Sequence, residues 1–242
     1  MAGVGKRFRN GTEALASVDL DVAPGAFVSL LGPSGCGKST LLRIIAGLVP
    51  PSTGQVTRSD EGQAGAVGFV FQEPTLMPWA SVWDNVYLPL RLSGTGRSAA
   101  RARVDDMIAA VGLAGFAQVY PRELSGGMRM RVSIARALVT APRLLLLDEP
   151  FAALDEITRF KLNEDLLRLW RAHDCTIVFV THSVFESVFL SNRIVIMTPR
   201  PGRMAAEVAV DLPYPREEGL RTAPPYMERC RDVSRLLAEA GA

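Results

Sequence analysis

Two clusters of residues have the types and spacing for phosphate chemistry. The segment Gly32-Pro33-Ser34-Gly35-Cys36-Gly37-Lys38-Ser39-Thr40 fits the pattern G-x-x-x-x-G-K-[ST]. Glycines let such a loop curl so that backbone N–H groups point at phosphate oxygens, and the helix that follows adds partial positive charge at its N-terminus. Lys38 would neutralise the β- and γ-phosphates, and Ser39 would supply a hydroxyl ligand to Mg²⁺. Alone, the loop says only that a nucleotide phosphate binds, and its bland alternative is a glycine-rich turn. The second cluster is Asp148-Glu149, which ends the apolar run Leu144 to Leu147. Asp148 would hold the Mg²⁺ shell and Glu149 would orient and polarise an attacking water. An acidic pair can also be a solvated strand end. With the phosphate loop upstream it reads as a hydrolytic pair, because a signalling GTPase need not carry the second carboxylate.

These residues need a scaffold that brings strand ends to one edge. Short runs at Phe27–Leu31, Val67–Phe71, Leu144–Leu147, Thr176–Val180 and Arg193–Met197 are apolar on both faces, as strands covered by helices on either side are. They predict an α/β fold with a mostly parallel sheet, in which ligands gather beyond the carboxyl ends of strands. Helical spacing predicts a helix over Thr40–Leu48, a helical insertion within Val82–Val119 carrying Val104, Met107, Ile108 and Val111, and helices over Gly126–Leu138 and Ile157–Arg171. From Pro213 onward the prolines predict a peripheral tail, with a short amphipathic stretch near Val233–Leu237.

Composition narrows the function classes. The 242 residues suffice for one large domain or two small ones, and 48% hydrophobic with 21% charged residues is ordinary for a packed enzyme. A net charge of +2 gives no ground for nucleic acid as a partner. The three cysteines, Cys36, Cys175 and Cys230, form no metal-spaced pair, which fits a reducing cytosol. No uncharged apolar run reaches the length of about 18 residues that spans a bilayer, so a membrane role requires a partner. Met1–Asn10 lacks signal-peptide character, and the mature chain is expected to start at Met1.

Leu124-Ser125-Gly126-Gly127-Met128 lies between the two clusters and precedes a predicted helix, with Ser125 placed as an N-cap. In that position it resembles the signature motif of ABC ATPases. Other elements resemble that family in order. Gln72 is similar to the Q-loop glutamine that reaches metal and attacking water, and Ala153-Leu154-Asp155 to the D-loop. His182 is similar to the switch histidine at the γ-phosphate, and Phe8 to the aromatic on which adenine stacks. In isolation each has a bland reading: a loop amide, a helix N-cap, a strand terminus, a core ring. These elements, in order across Phe8 to His182, carry the resemblance.

The resemblance implies a P-loop NTPase (RecA-like) core over 1–78 and 144–212, with an N-terminal antiparallel β subsheet, a helical signature subdomain over 79–143 and a tail over 213–242. It implies ATP and Mg²⁺ as cofactors, with Ser39, Gln72 and Asp148 at the metal. Glu149, His182, Gln72 and Lys38 would be catalytic. Phe8, Gly32 to Thr40, Ser125, Gly126, Gly127 and Asp155 would contact nucleotide. Two copies would sandwich two ATP molecules, each phosphate loop facing the other copy's signature segment. Closure and reopening would drive integral permease subunits at the cytoplasmic face of the membrane, with a periplasmic or extracellular solute-binding protein in the complex.

Within the family, Phe69 to Trp79, Asp148 to Asp155, Thr181 to Ser187 and Pro199-Arg200-Pro201-Gly202 look like importer ATPases of the nitrate, sulfonate and taurine group, whose relatives also carry pyrimidine precursors. Trp79 and Trp83 fall where the permease's coupling helix would dock, although either could be subdomain core. Met128 and Met130 stand where many members have Gln, and the chain begins close to Phe8. Competing readings are a soluble ABC ATPase acting on DNA or ribosomes, an exporter ATPase subunit, and a P-loop small-molecule kinase. The first usually has paired nucleotide units or long heptad arms, which this chain lacks. The kinase would need neither signature segment nor dimer.

Overall fold

A computed structural model describes residues 1–58 and 65–241. Residues 59–64 of the assigned core and residue 242 of the tail lie outside the described residues. The chain divides into two compact units, Met1–Glu61 with Thr176–Ala242, and Gly62–Cys175.

In the first unit, strands β1 (Ala2–Arg7), β2 (Glu13–Val18), β3 (Phe27–Leu31) and helix α1 (Lys38–Ile45) are followed by β4 (Thr53–Gln55). β1 lies between β2 and β4, antiparallel to both, which makes the N-terminal subsheet. β3 is buried along its whole length, as its apolar sequence requires. β7 (Thr176–Thr181) and β8 (Arg193–Met197) flank β3 in parallel, and β9 (Met204–Ala209) closes that edge antiparallel to β8. α6 (Val184–Leu190) joins β7 to β8.

The tail differs from expectation. α7 runs over Pro224–Gly241, and Tyr226, Cys230 and Val233 bury a stripe at i, i+4 and i+7. Pro224 and Pro225 start it, because a first-turn proline loses no intrahelical bond. The Tyr226 hydroxyl donates to the carbonyl of Phe185 at 2.9 Å. Ahead of the helix, buried Arg216 donates to the carbonyls of Val188, Phe189, Ser191, Val210 and Leu212. A single guanidinium thus satisfies the C-terminal carbonyls of α6 and fastens the tail to them.

In the second unit, β5 (Val67–Val70) pairs in parallel with β6 (Leu144–Asp148). Between them come α2 (Val82–Leu92), α3 (Arg97–Ala110) and α4 (Gly126–Leu138), and α5 (Glu156–His173) follows β6. The helical insertion is therefore three α-helices and two short 3₁₀ turns, with no strand among the described residues of 71–143. Gly68 admits α4 closely: a Cβ there would lie 2.7 Å from the carbonyl oxygen of Ala137. Trp83 is buried in the helical layer, its Nε1 donating to Asp105 Oδ1 at 2.7 Å with the Arg97 guanidinium 4.1 Å from the ring centroid. Trp79 is 77% exposed.

Candidate functional site

The phosphate loop is shaped by backbone that only glycine tolerates. Gly37, the N-cap of α1, has φ +105°, and a Cβ there would sit 2.6 Å from the carbonyl oxygen of Ala14 on β2. Gly35 has φ +76° at the third position of a turn in which Cys36 N–H donates to the Pro33 carbonyl at 3.4 Å. Lys38 is 3% exposed, and its Nζ donates to the carbonyls of Gly32 at 2.7 Å and Pro33 at 2.8 Å. The loop thus folds around its own lysine, which sits at the first position of α1, where positive charge from the helix end also gathers. The hydroxyls of Ser39 and Thr40 follow in the same turn.

Strand register places His182 beside this loop. Leu31 pairs with Thr181 in the parallel β3–β7 ladder, so Gly32 and His182 leave neighbouring strands at the same level. The corner after β7 is tied down locally. Thr181 Oγ1 donates to buried Glu186 Oε2 at 2.6 Å and accepts from Ser183 N–H at 3.0 Å, while Ser183 Oγ accepts from Glu186 N–H. His182 itself is exposed. Phe8 lies at the tip of the β1–β2 connection, 40% exposed, with Lys6 Nζ 5.5 Å from its ring centroid.

The second unit repeats the device. Val70 pairs with Leu147, so the chain leaves toward Gln72 and toward Asp148-Glu149 from the same edge. Asp148 is 5% exposed. Glu149 adopts φ +46°, the left-handed region that a residue with a Cβ enters at a cost. Gln72 is exposed. The segment after it is held from two sides. Arg136 on α4 donates to the carbonyls of Pro74 and Thr75 and to Thr75 Oγ1, at 2.9 to 3.0 Å. Buried Asn85 accepts from Met77 N–H at 2.8 Å and donates to the carbonyls of Met77, Ala80 and Ser81.

Ser125 is the N-cap of α4, its Oγ accepting from Met128 N–H at 3.3 Å. Asp155 caps α5 the same way, accepting from Thr158 N–H at 2.9 Å. The Thr158 backbone N–H, then its hydroxyl, hold the Asp155 carboxyl below its ordinary pKa. The two caps are neighbours, because a Cβ at Gly126 would lie 3.3 Å from Leu154 Cδ2 and one at Gly127 2.7 Å from Thr158 Cγ2. Signature segment and D-loop therefore form one surface. Met130 is buried in α4, so the thioether fills helical core at that position.

The residues fit a magnesium nucleotide by donor chemistry. A glycine-shaped loop with a buried ammonium suits a polyphosphate, and the serine hydroxyl of one unit and the nearly buried carboxylate of the other are each ligands of the type a hard cation takes.

Residues 15–152 match the family model described as ABC transporter. The chain belongs to the ABC transporter family. As an ABC ATPase it has clear relatives over most of its length. It is 47% identical over 218 residues to the aliphatic sulfonates import ATP-binding protein SsuB of Bacillus licheniformis, covering 89% of this chain and 83% of that protein. It is 46% identical to the taurine import ATP-binding protein TauB of Rhizobium johnstonii, covering 85% and 79%. A putative ATP-binding protein of Brucella abortus is 45% identical, covering 89% and 84%. Among solved structures, the dimeric post-hydrolysis state of the ATP-binding cassette MJ0796 bound to ADP and Pi has TM-score 0.75 and 33% identity, covering 87% of this chain and 98% of that one. The α/β P-loop cassette with its antiparallel subsheet and inserted helices is thereby established as the fold of this ABC ATPase. No helix among the described residues is long and apolar enough to cross a membrane.

Sequence reasoning named the loop, the acidic pair and the two caps. Arg136 and Asn85 are not legible there. Their contacts run mostly to backbone groups, which no side-chain pattern signals.

Proposed function

We propose that this ABC ATPase energises import of a small solute of the sulfonate or taurine type, with nitrate and pyrimidine precursors as the neighbouring alternatives. The observation that carries this reading is its identity of 46–47%, over most of the chain, to relatives named as sulfonate and taurine import ATP-binding proteins. Two copies would bind two ATP molecules at the cytoplasmic face of the membrane, against integral permease subunits, with a periplasmic or extracellular solute-binding protein completing the assembly.

In this reading Gly32 to Thr40 bind the triphosphate and Lys38 offsets its charge. Ser39, Asp148 and Gln72 would hold Mg²⁺, which would neutralise charge on the phosphate oxygens. Glu149 accepts a proton from the attacking water, and His182 steadies the γ-phosphate. Phe8 stacks on adenine. Ser125, Gly126 and Gly127 act on the partner copy's nucleotide, aided by Asp155. The open N-terminus of α4, capped through Ser125, offers the backbone N–H groups that an anion needs. Rate enhancement comes from positioning and charge, since no covalent intermediate is required.

Mixing Lys38→Ala chains with Ser125→Arg chains tests the composite site. Each alone should be inactive, and the mixture should recover part of the parent's hydrolysis because one site per mixed dimer stays whole. No recovery would overturn the trans arrangement. For the cargo, deletion of the gene should abolish growth on taurine or an aliphatic sulfonate as sole sulfur source. Unchanged growth on both would remove that solute class.

A further inference from the structure

The turn after β8 reaches back to the phosphate loop. Arg200 donates from Nε at 3.1 Å and from Nη2 at 3.0 Å to one acceptor, the carbonyl oxygen of Gly35. The same turn is braced against β2: Gly202 N–H donates to Ala14 O and Ala16 N–H donates to Gly202 O, each at 3.0 Å. Gly202 also abuts the loop, since a Cβ there would lie 2.1 Å from the Cys36 carbonyl oxygen. Gly35, Cys36 and Gly37 are thus backed by β2 on one side and by this turn on the other.

From this geometry we infer that Arg200 is a positioning residue for phosphate binding, which rests on the phosphate-loop reading above. The reason lies in the peptide plane. In a trans peptide the carbonyl of Gly35 and the N–H of Cys36 point in opposite directions, so fixing one aims the other. Arg200 grips the Gly35 carbonyl, and the Cys36 N–H on the opposite side of the peptide meets Pro33 O at 3.4 Å, a long bond that an incoming anion can replace. A guanidinium on the carbonyl also polarises the peptide and strengthens that N–H as a donor to an anion. Gly35 has a soft backbone with φ +76°, so without the clamp only the long Cys36–Pro33 turn bond of 3.4 Å restrains this plane. Arg200 raises affinity by removing that freedom before the ligand arrives, and it touches no reacting atom.

The test is equilibrium binding of Mg-ADP and of AMP to the full chain, with Arg200→Ala, Arg200→Lys and Lys38→Ala beside the parent. Arg200→Ala should weaken Mg-ADP about tenfold, leave AMP within twofold, and keep the nucleotide-free melting temperature, because the side chain is exposed. Arg200→Lys, with one charged donor, should fall between. Amide hydrogen exchange at Cys36 should speed up in Arg200→Ala without nucleotide. Arg200→Ala binding Mg-ADP within twofold of the parent, or losing AMP equally, would overturn the inference. If Lys38→Ala also bound like the parent, the phosphate-loop reading itself would fail. Loss in Lys38→Ala alone would sink only the role of Arg200.

Discussion

Arg136 on α4 binds Thr75 twice, through the carbonyl and through the hydroxyl, and Thr75 holds φ +46° while it does so. The helix that begins at the signature segment is thereby fastened to the chain that has just left Gln72. Burial lowers the Arg136 pKa from its ordinary value, yet the guanidinium remains charged at any working pH. Arg136→Ala should cost roughly 1–3 kcal/mol, the usual loss for a partly buried charged donor with several acceptors. Amide exchange over 74–81 should rise more than elsewhere in the chain, and uniform exchange would show that Asn85 alone holds the segment.

Glu149→Gln keeps the shape of the side chain and removes its basicity. Nucleotide affinity should stay near that of the parent while phosphate release falls on the order of 10²–10⁴-fold, the range for loss of a general base. Light scattering with Mg-ATP should then report a persistent dimer. Near-normal turnover would assign proton acceptance to another group.

Gly127 and Thr158 should be coupled. Gly127→Ala places a methyl 2.7 Å from Thr158 Cγ2, and a β-branched side chain has little room to swing. Overpacking of this kind costs roughly 1–3 kcal/mol, and about 2–4 °C in melting temperature accompanies each kcal/mol at this chain length. Thr158→Ser removes the offending methyl, so the double variant should recover most of the loss. Additive losses in a thermal double-mutant cycle would show that the clash is relieved elsewhere.

Cys175 and Cys230 should resist alkylation. Burial, the largest cause for both, pushes each thiol from its ordinary 9.0 up to about 11. At pH 8 the native thiolate fraction is then about a hundredfold below that of the unfolded chain, and peptide mass spectrometry after iodoacetamide should show that protection. The corresponding stability is intact below pH 9 and erodes as pH rises toward 11, because the unfolded chain loses these protons first.

Legibility in the sequence followed the range of each interaction. Phe27–Leu31 and Leu144–Leu147 were readable because a strand buried on both faces needs an unbroken apolar run, and the loop and acid pair sit at the ends of those runs. Ser125 and Asp155 were readable because capping is decided within three residues. The contacts of Arg216 and Arg200 are not, since they reach carbonyls as far as 28 and 165 positions away in sequence. A carbonyl exists at every residue, so its identity cannot announce a partner. The stripe Tyr226, Cys230 and Val233 has the right period, but the four prolines from Pro213 predict a peripheral tail with only a short amphipathic stretch, whereas Pro224 and Pro225 start the helix.

The backbone of Glu149 implies a conflict between durability and work. At φ +46° glycine would sit without strain, whereas a glutamate there costs on the order of 1 kcal/mol. Selection for heat resistance alone would therefore discard this carboxylate, so libraries screened for thermostability should enrich Glu149→Gly among their survivors while emptying them of catalysts.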